Sequence, residues 1–182
     1  MDAGAVDLGI LLLRAGTGVT VAAHGYGKFF TGGRIAGTAR WFESMGMRPG
    51  RAHAVAAAST EVGAGLALAF GLLTPVAGAA VVALMVVAAW TVHRRNGFFI
   101  VKSGWEYNLV LALIAVSVAT AGPGRWSLDH ALAIADTLDA TVGLALAAGG
   151  GLAAGTAYLA VFYRPPPPDP MTAEGPDTTS PS

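Results

Sequence analysis

Cysteine is absent from all 182 residues. Disulfides, thiolate nucleophiles, CxxC redox pairs and cysteine-ligated metal or iron–sulfur centres are therefore excluded within this chain. Any electron transfer would need a bound cofactor or a partner. Charge is scarce too: Asp, Glu, Lys and Arg make up 12% of the chain, against about 25% in soluble domains. Hydrophobic residues reach 54% and the mean hydropathy is +0.58. A chain this apolar belongs to the membrane class. The N-terminus carries Asp2 and no Lys or Arg before the first apolar run. That run leads into His24-Gly25-Tyr26-Gly27-Lys28 rather than a small-residue cleavage site, so it is expected to be a retained span and not a signal peptide. Gly149-Gly150-Gly151 has neither a preceding strand nor a lysine, which rules out a phosphate loop. No Ser-His-Asp set occurs in a plausible order. The basic residues alternate with apolar ones, so nucleic acid is not an expected partner.

What remains is a series of apolar segments long enough to read as membrane helices, which need about 20 residues each. Residues 6–23, 54–73, 76–92 and 107–121 are the first four, the last bracketed by Trp105, Tyr107 and Trp126 as interfacial anchors. Residues 140–163, rich in Ala and Gly and ending in Tyr158, Phe162 and Tyr163, make a fifth. Its glycines should let neighbouring helices approach closely. Leu72-Leu73-Thr74-Pro75 reads as a tight helical hairpin with proline at the first helical position. Ala36–Met45 suits a short interfacial helix, and 127–139 another, with Leu128, Leu132, Ala135 and Leu138 on one face and Ser127 as its N-cap. After Arg164 a proline-rich tail has almost nothing to bury and is expected to be disordered.

Basic residues set the expected orientation. Lys28, Arg34, Arg40, Arg48 and Arg51 lie in the first link, Arg94, Arg95 and Lys102 in the third, and Arg164 at the tail; Arg125 alone lies in the fourth. This alternation predicts an outside N-terminus and a cytoplasmic tail.

Two charges fall inside apolar runs, Arg14 in the first and Glu61 in the second. A charge at the bilayer centre costs roughly 2.5–3.5 kcal/mol on insertion scales. Counted from the cytoplasmic helix ends taken at Ala23 and Ala54, the two lie within roughly 3 Å of the same depth. They are expected to pair, either as a lock on helix packing or as a polar anchor for a quinone, a carried anion or a proton path. A second set, His24, Lys28, His53, His93 and Glu106, gathers at the cytoplasmic helix ends. It could shuttle protons or simply anchor at the interface. No HxxxH or HxxE spacing supports a metal site there, and none is expected.

Taken in order, Leu12-Leu13-Arg14 through His24-Gly25-Tyr26-Gly27-Lys28, Glu61 through Gly71-Leu72-Leu73-Thr74-Pro75, His93-Arg94-Arg95-Asn96-Gly97-Phe98, Trp105-Glu106-Tyr107 and Gly122-Pro123-Gly124-Arg125-Trp126-Ser127-Leu128-Asp129 resemble the DoxX family over roughly residues 6–132. The resemblance implies a small four-helix integral membrane protein of the cell (inner) membrane. It implies a link to quinone, since the family takes its name from a membrane subunit of a thiosulfate:quinone oxidoreductase. It also implies, as partners, a superoxide dismutase and a sulfurtransferase in an oxidative-stress complex. The expected fold is all-α: a polytopic bundle with a four-helix core and interfacial helices over 1–139, a fifth spanning helix at 140–163, and a tail over 164–182. The first functional reading is a subunit or scaffold of a membrane redox complex. The alternatives are a small-molecule carrier and a non-catalytic membrane anchor for partner proteins.

Overall fold

The computed structural model describes residues 2–137 and 140–166. The expected tail falls, from residue 167 onward, outside the described residues, as does Leu138. Asp2 opens helix α1 (Ala3–Phe30), its carboxylate accepting from Gly4 N at 3.1 Å. The short α2 (Arg34–Ser44) follows, in the place expected for an interfacial helix, and then α3 (Gly50–Phe70). Helix α4 (Thr74–Ala88) continues through a wider π turn (Ala89–His93) and a tight 3-10 turn (Arg94–Asn96). Helix α5 spans Glu106–Ala121. One turn, α6 (Leu128–Ala131), precedes a last rod made of α7 (Ala140–Leu144), a π stretch (Ala145–Gly150) and α8 (Gly151–Phe162).

Four of these rods, Ala3–Phe30, Gly50–Phe70, Thr74–Asn96 and Ala140–Phe162, are long and apolar enough to cross a membrane. The 16-residue α5 rises only about 24 Å, short of the roughly 30 Å hydrocarbon layer. Its termini still lie at opposite ends of the bundle, where α4 finishes and α7 begins. The protein is therefore an all-α, multi-pass membrane bundle whose neighbouring rods alternate in direction. Its first end gathers Asp2, the 71–73 link and 122–131. Its second end gathers α2, the 93–106 loop and Arg164, whose N–H bonds Gly46 O at 2.9 Å.

The α1–α3 seam is unusually close. A Cβ on Gly18 would stand 2.4 Å from Gly65 O, and one on Gly65 would stand 2.6 Å from Gly18 O. No residue larger than glycine fits there without parting the helices. Val21, Leu68, Val81, Leu111 and Val118 fill the core between α1, α3, α4 and α5. The last rod docks along α4 and α5 through Gly143, Ala147, Gly151 and Gly155, each four residues from the next. Of the central glycine triplet only Gly151 packs; a Cβ on Gly149 or Gly150 would meet nothing within 4 Å.

The helix expected over 127–139 stops after one turn. Ser127 caps it as foreseen, its Oγ accepting from His130 N at 3.1 Å. Ala133 then turns left-handed at φ 55. Its N–H bonds His130 O and the Ile134 N–H bonds Asp129 O, both at 3.0 Å. That bonding pattern closes a helix and cannot continue it. Proline in the hairpin is the second helical residue rather than the first, because Thr74 begins α4.

Candidate functional site

The expected Arg14–Glu61 pair is not made, and the seam explains why. Gly18 faces Gly65 and Ala69, while Gly25 faces Ala58, Glu61 and Val62. In that register Glu61 lies level with the neighbourhood of His24, about ten residues or 15 Å along the axis from Arg14. Counting from Ala23 and Ala54 assumed that the helix ended there, whereas α1 runs on to Phe30. Each charge has found another partner.

Arg14 is 1% exposed and donates from both terminal guanidinium nitrogens to backbone carbonyls, Nη1 to Ala69 O and Nη2 to Trp126 O. The first is an orphan carbonyl at the end of α3. Gly71, left-handed at φ 65, turns the chain beside the guanidinium, and its carbonyl accepts from Asp129 N at 2.8 Å. The Asp129 carboxylate is fully buried and accepts from Leu73 N (2.6 Å), Thr74 N (2.9 Å) and Thr74 Oγ1 (2.7 Å). It thus caps the N-terminus of α4, where an anion also favours the helix dipole. Both oxygens of this centre's anion and both ends of its guanidinium fork are occupied, and Arg14 Nε alone is buried without a partner. In the sequence Asp129 stands out only as an acid in the first turn of the helix expected over 127–139. A lone acid two residues after the N-cap serine, near a hairpin with free amide donors, was the available signal.

Glu61 instead receives both carboxylate oxygens' bonds from Lys28 Nζ. Lys28, expected in the second set, reaches down from the last turn of α1 on its apolar stem. The rest of that set does not converge. His24 is exposed on α1, and His93 Nδ1 lies 2.7 Å from Ser103 O. Glu106 accepts from Ile100 N at 2.9 Å. Among the described residues no three His, Asp or Glu side chains converge as metal ligands do.

His53 is different. On the first turns of α3 and 4% exposed, it meets Tyr158 of α8, with Nδ1 2.5 Å from the phenolic oxygen. Phe162 stands edge-on to the imidazole at 5.1 Å and Phe42 lies 6.3 Å away. Nε2 is buried without a hydrogen-bond partner. Beside the pair lies a cavity of about 190 Å³ between α3, α4 and α8, lined by His53, Tyr158, Phe42, Thr60, Leu84, Val87 and a wall of Ala and Gly. An apolar cavity of about 150 Å³ holds a benzene ring, so one six-membered ring fits here. In the sequence Tyr158 is part of an aromatic helix end, and nothing there couples it to a histidine 105 residues earlier.

The DoxX family model matches residues 9–94. A protein of Bacillus subtilis (strain 168) named "Putative oxidoreductase CatD" is 30% identical over 123 residues, covering 68% of this chain and 86% of that relative. The chain belongs to the DoxX family. The DoxX match takes in Arg14, Lys28, His53 and Glu61 but stops before Asp129 and Tyr158. Both centres are thus completed by residues outside the matched segment. No solved structure matches this chain.

Proposed function

We propose that this DoxX protein is the membrane subunit of a redox complex and seats the head ring of a quinone beside His53 and Tyr158. The observation that carries the reading is the unspent donor of that pair. If the Tyr158 hydroxyl donates to Nδ1, the imidazole keeps an Nε2–H with nothing to bond; if Nδ1–H donates to the phenol, the phenol O–H is left over. Either way one donor remains in an apolar enclosure, where an unmade hydrogen bond costs about 1–3 kcal/mol. A ring bearing a carbonyl oxygen would satisfy it, and the cavity admits one ring. A quinone supplies two-electron, two-proton redox chemistry when bound. His53 and Tyr158 would orient the ring and hold the proton at Nε2 or at the phenol oxygen, while Val87, Leu84 and Phe42 exclude water.

With no cysteine, the electrons would come from a partner; the family resemblance names a superoxide dismutase and a sulfurtransferase as the partners to look for. The relative's name, oxidoreductase, supports the same class. A carrier of small anions would need a free cation within the spanning helices, and there Arg14 is bonded to backbone carbonyls and Lys28 to both oxygens of Glu61. The basic residues support an orientation: nine of the eleven Lys and Arg lie at the second end, against the buried Arg14 and Arg125 at the first, a bias that favours a cytoplasmic second end. Cysteines placed singly at Gly33 and Gly124 would test this in intact cells, an impermeant reagent reaching Gly124 and not Gly33.

The functional test is purification of the full chain in mild detergent, followed by extraction of bound lipid-soluble quinone and titration with a short-chain analogue. Copurifying quinone, and analogue binding weakened in His53→Leu/Tyr158→Phe, are expected. Neither quinone nor variant-dependent binding, with solute uptake in proteoliposomes instead, would replace this reading with the carrier. A dismutase or sulfurtransferase in a gentle extract would name the electron donor.

A further inference from the structure

The loop joining α4 to α5 combines two properties that rarely coincide. It is tightly built: Trp105 N bonds Gly97 O at 3.2 Å, Glu106 N bonds Phe98 O at 2.9 Å, and Gly104 N bonds Phe99 O at 3.0 Å. The Glu106 carboxylate takes Ile100 N at 2.9 Å, while His93 and Asn96 both close on Ser103 O at 2.7 and 3.1 Å. Yet this fixed scaffold turns apolar side chains outward. Phe99, Ile100 and Val101 are exposed, Val101 to 87%. A floppy loop could fold such residues away; this one holds them out, and exposed apolar groups on a rigid support mark an interaction surface.

Its charge is equally one-sided. The closure on Ser103 O brings Arg94 and Arg95 to the same loop as Lys102, and all three are exposed with no acidic partner among the described residues. Arg94 stacks on Trp90 with its guanidinium carbon 4.3 Å from the ring centroid, which leaves its in-plane N–H donors free. The nearby carboxylate, Glu106, is spent inside the loop. Trp90, Trp105 and Tyr107 border the loop at the level where aromatic residues meet the headgroups.

We propose that the 94–105 loop is a seat for an anionic phospholipid, with Arg94, Arg95 and Lys102 on the phosphate and Phe99, Ile100 and Val101 set among the acyl chains. The apolar tip selects an amphiphile over a free phosphate, and three unpaired cations select an anionic headgroup over a zwitterionic one. A basic residue near a lipid surface contributes about fivefold in affinity.

Native mass spectrometry of the full chain from neutral detergent, with added phosphatidylglycerol or phosphatidylcholine, measures the preference directly. Phosphatidylglycerol should be retained more strongly. Arg94→Gln/Arg95→Gln/Lys102→Gln should lose about a hundredfold in its retention, with an unchanged melting temperature because all three side chains are exposed. Arg40→Gln/Arg48→Gln/Arg51→Gln, which removes three cations from the same end of the bundle but not from the loop, should keep the preference. Equal retention of the two lipids by the unaltered chain would overturn the proposal. So would an equal loss in both triple variants, which means diffuse attraction, or a loop variant that keeps its lipid and loses a copurifying protein.

Discussion

The two ends of this bundle handle buried polar groups in opposite ways. At the first end Arg14, Asp129 and Thr74 bond one another's neighbourhoods until the anion and both terminal nitrogens of the cation are used, with backbone groups of the 69–74 hairpin as most of the partners. At the second end His53 and Tyr158 make one bond between them beside a cavity, with a donor to spare. Arg14, Asp129 and His53 are all buried, and each end keeps one buried nitrogen without a partner, Arg14 Nε and His53 Nε2, so neither burial nor a single orphan separates structure from function here. The cavity beside His53 and Tyr158 does. A closed network specifies packing, whereas an incomplete one beside a cavity has room for a ligand to finish it.

The largest effect that tests this contrast should come from Asp129→Ala. It strands Leu73 N, Thr74 N and the Thr74 hydroxyl and removes the anion facing a buried arginine. Losing one member of such a centre costs about 3–5 kcal/mol, which unfolding in detergent would report as a large drop in midpoint. Asp129→Asn keeps an acceptor oxygen and should lose less. A cost below about 1 kcal/mol for the alanine variant, the scale of an exposed pair, would mean that the first end is not a lock.

The register that separates the two ends is next. Gly65→Ala puts a methyl group 2.6 Å from both Gly18 O and Ala22 N, backbone atoms that cannot rotate away. Overpacking of this kind costs about 1–3 kcal/mol. Alanine at Gly63, whose Cβ would meet nothing within 4 Å, should be neutral or slightly stabilising in a helix.

A smaller effect is expected at Lys28–Glu61, which lies between the regimes of surface and buried pairs, the two side chains being 23% and 12% exposed. A double-mutant cycle with Lys28→Met and Glu61→Gln should give a coupling of about 1–2 kcal/mol. The corresponding cycle between Arg14→Leu and Glu61→Gln should be additive within about 0.5 kcal/mol, since those residues stand a helical third apart. Coupling in the second cycle and not the first would restore the pairing that the sequence alone suggests.

Helices and their order were legible because each is written locally, in apolar runs and capping residues. The short helix α2 was legible for the same reason. The partners of Arg14 and Glu61 were not. Pairing across two helices depends on register, and here register follows from a glycine contact between Gly18 and Gly65, which no count from helix ends contains. Ending α1 at Ala23 rather than Phe30 was enough to move Glu61 from Lys28 to Arg14. Asp129 and Tyr158 were hidden differently. Each bonds across more than fifty residues, and each has a sufficient local explanation, as a helix start and as an aromatic belt, that conceals its distant partner.

The smallest effect on stability, and the one that bears most on function, belongs to the second end. His53→Leu/Tyr158→Phe replaces both members of a hydrogen-bonded pair by apolar groups of similar size. Such replacements are often nearly neutral, because nothing polar is left stranded. The midpoint of unfolding should therefore move by less than about 1 kcal/mol. Tyr158→Phe alone leaves the imidazole with neither nitrogen bonded inside the protein and should cost more than the double variant. Binding of a short-chain quinone analogue should behave in the reverse order, falling about fivefold in the double variant through loss of the one hydrogen bond the pair can offer. Stability near that of the unaltered chain with weakened binding is the signature of a site kept incomplete for a ligand. If the double variant instead unfolds as readily as Asp129→Ala, the His53–Tyr158 pair is a second lock, and the contrast between the two ends disappears.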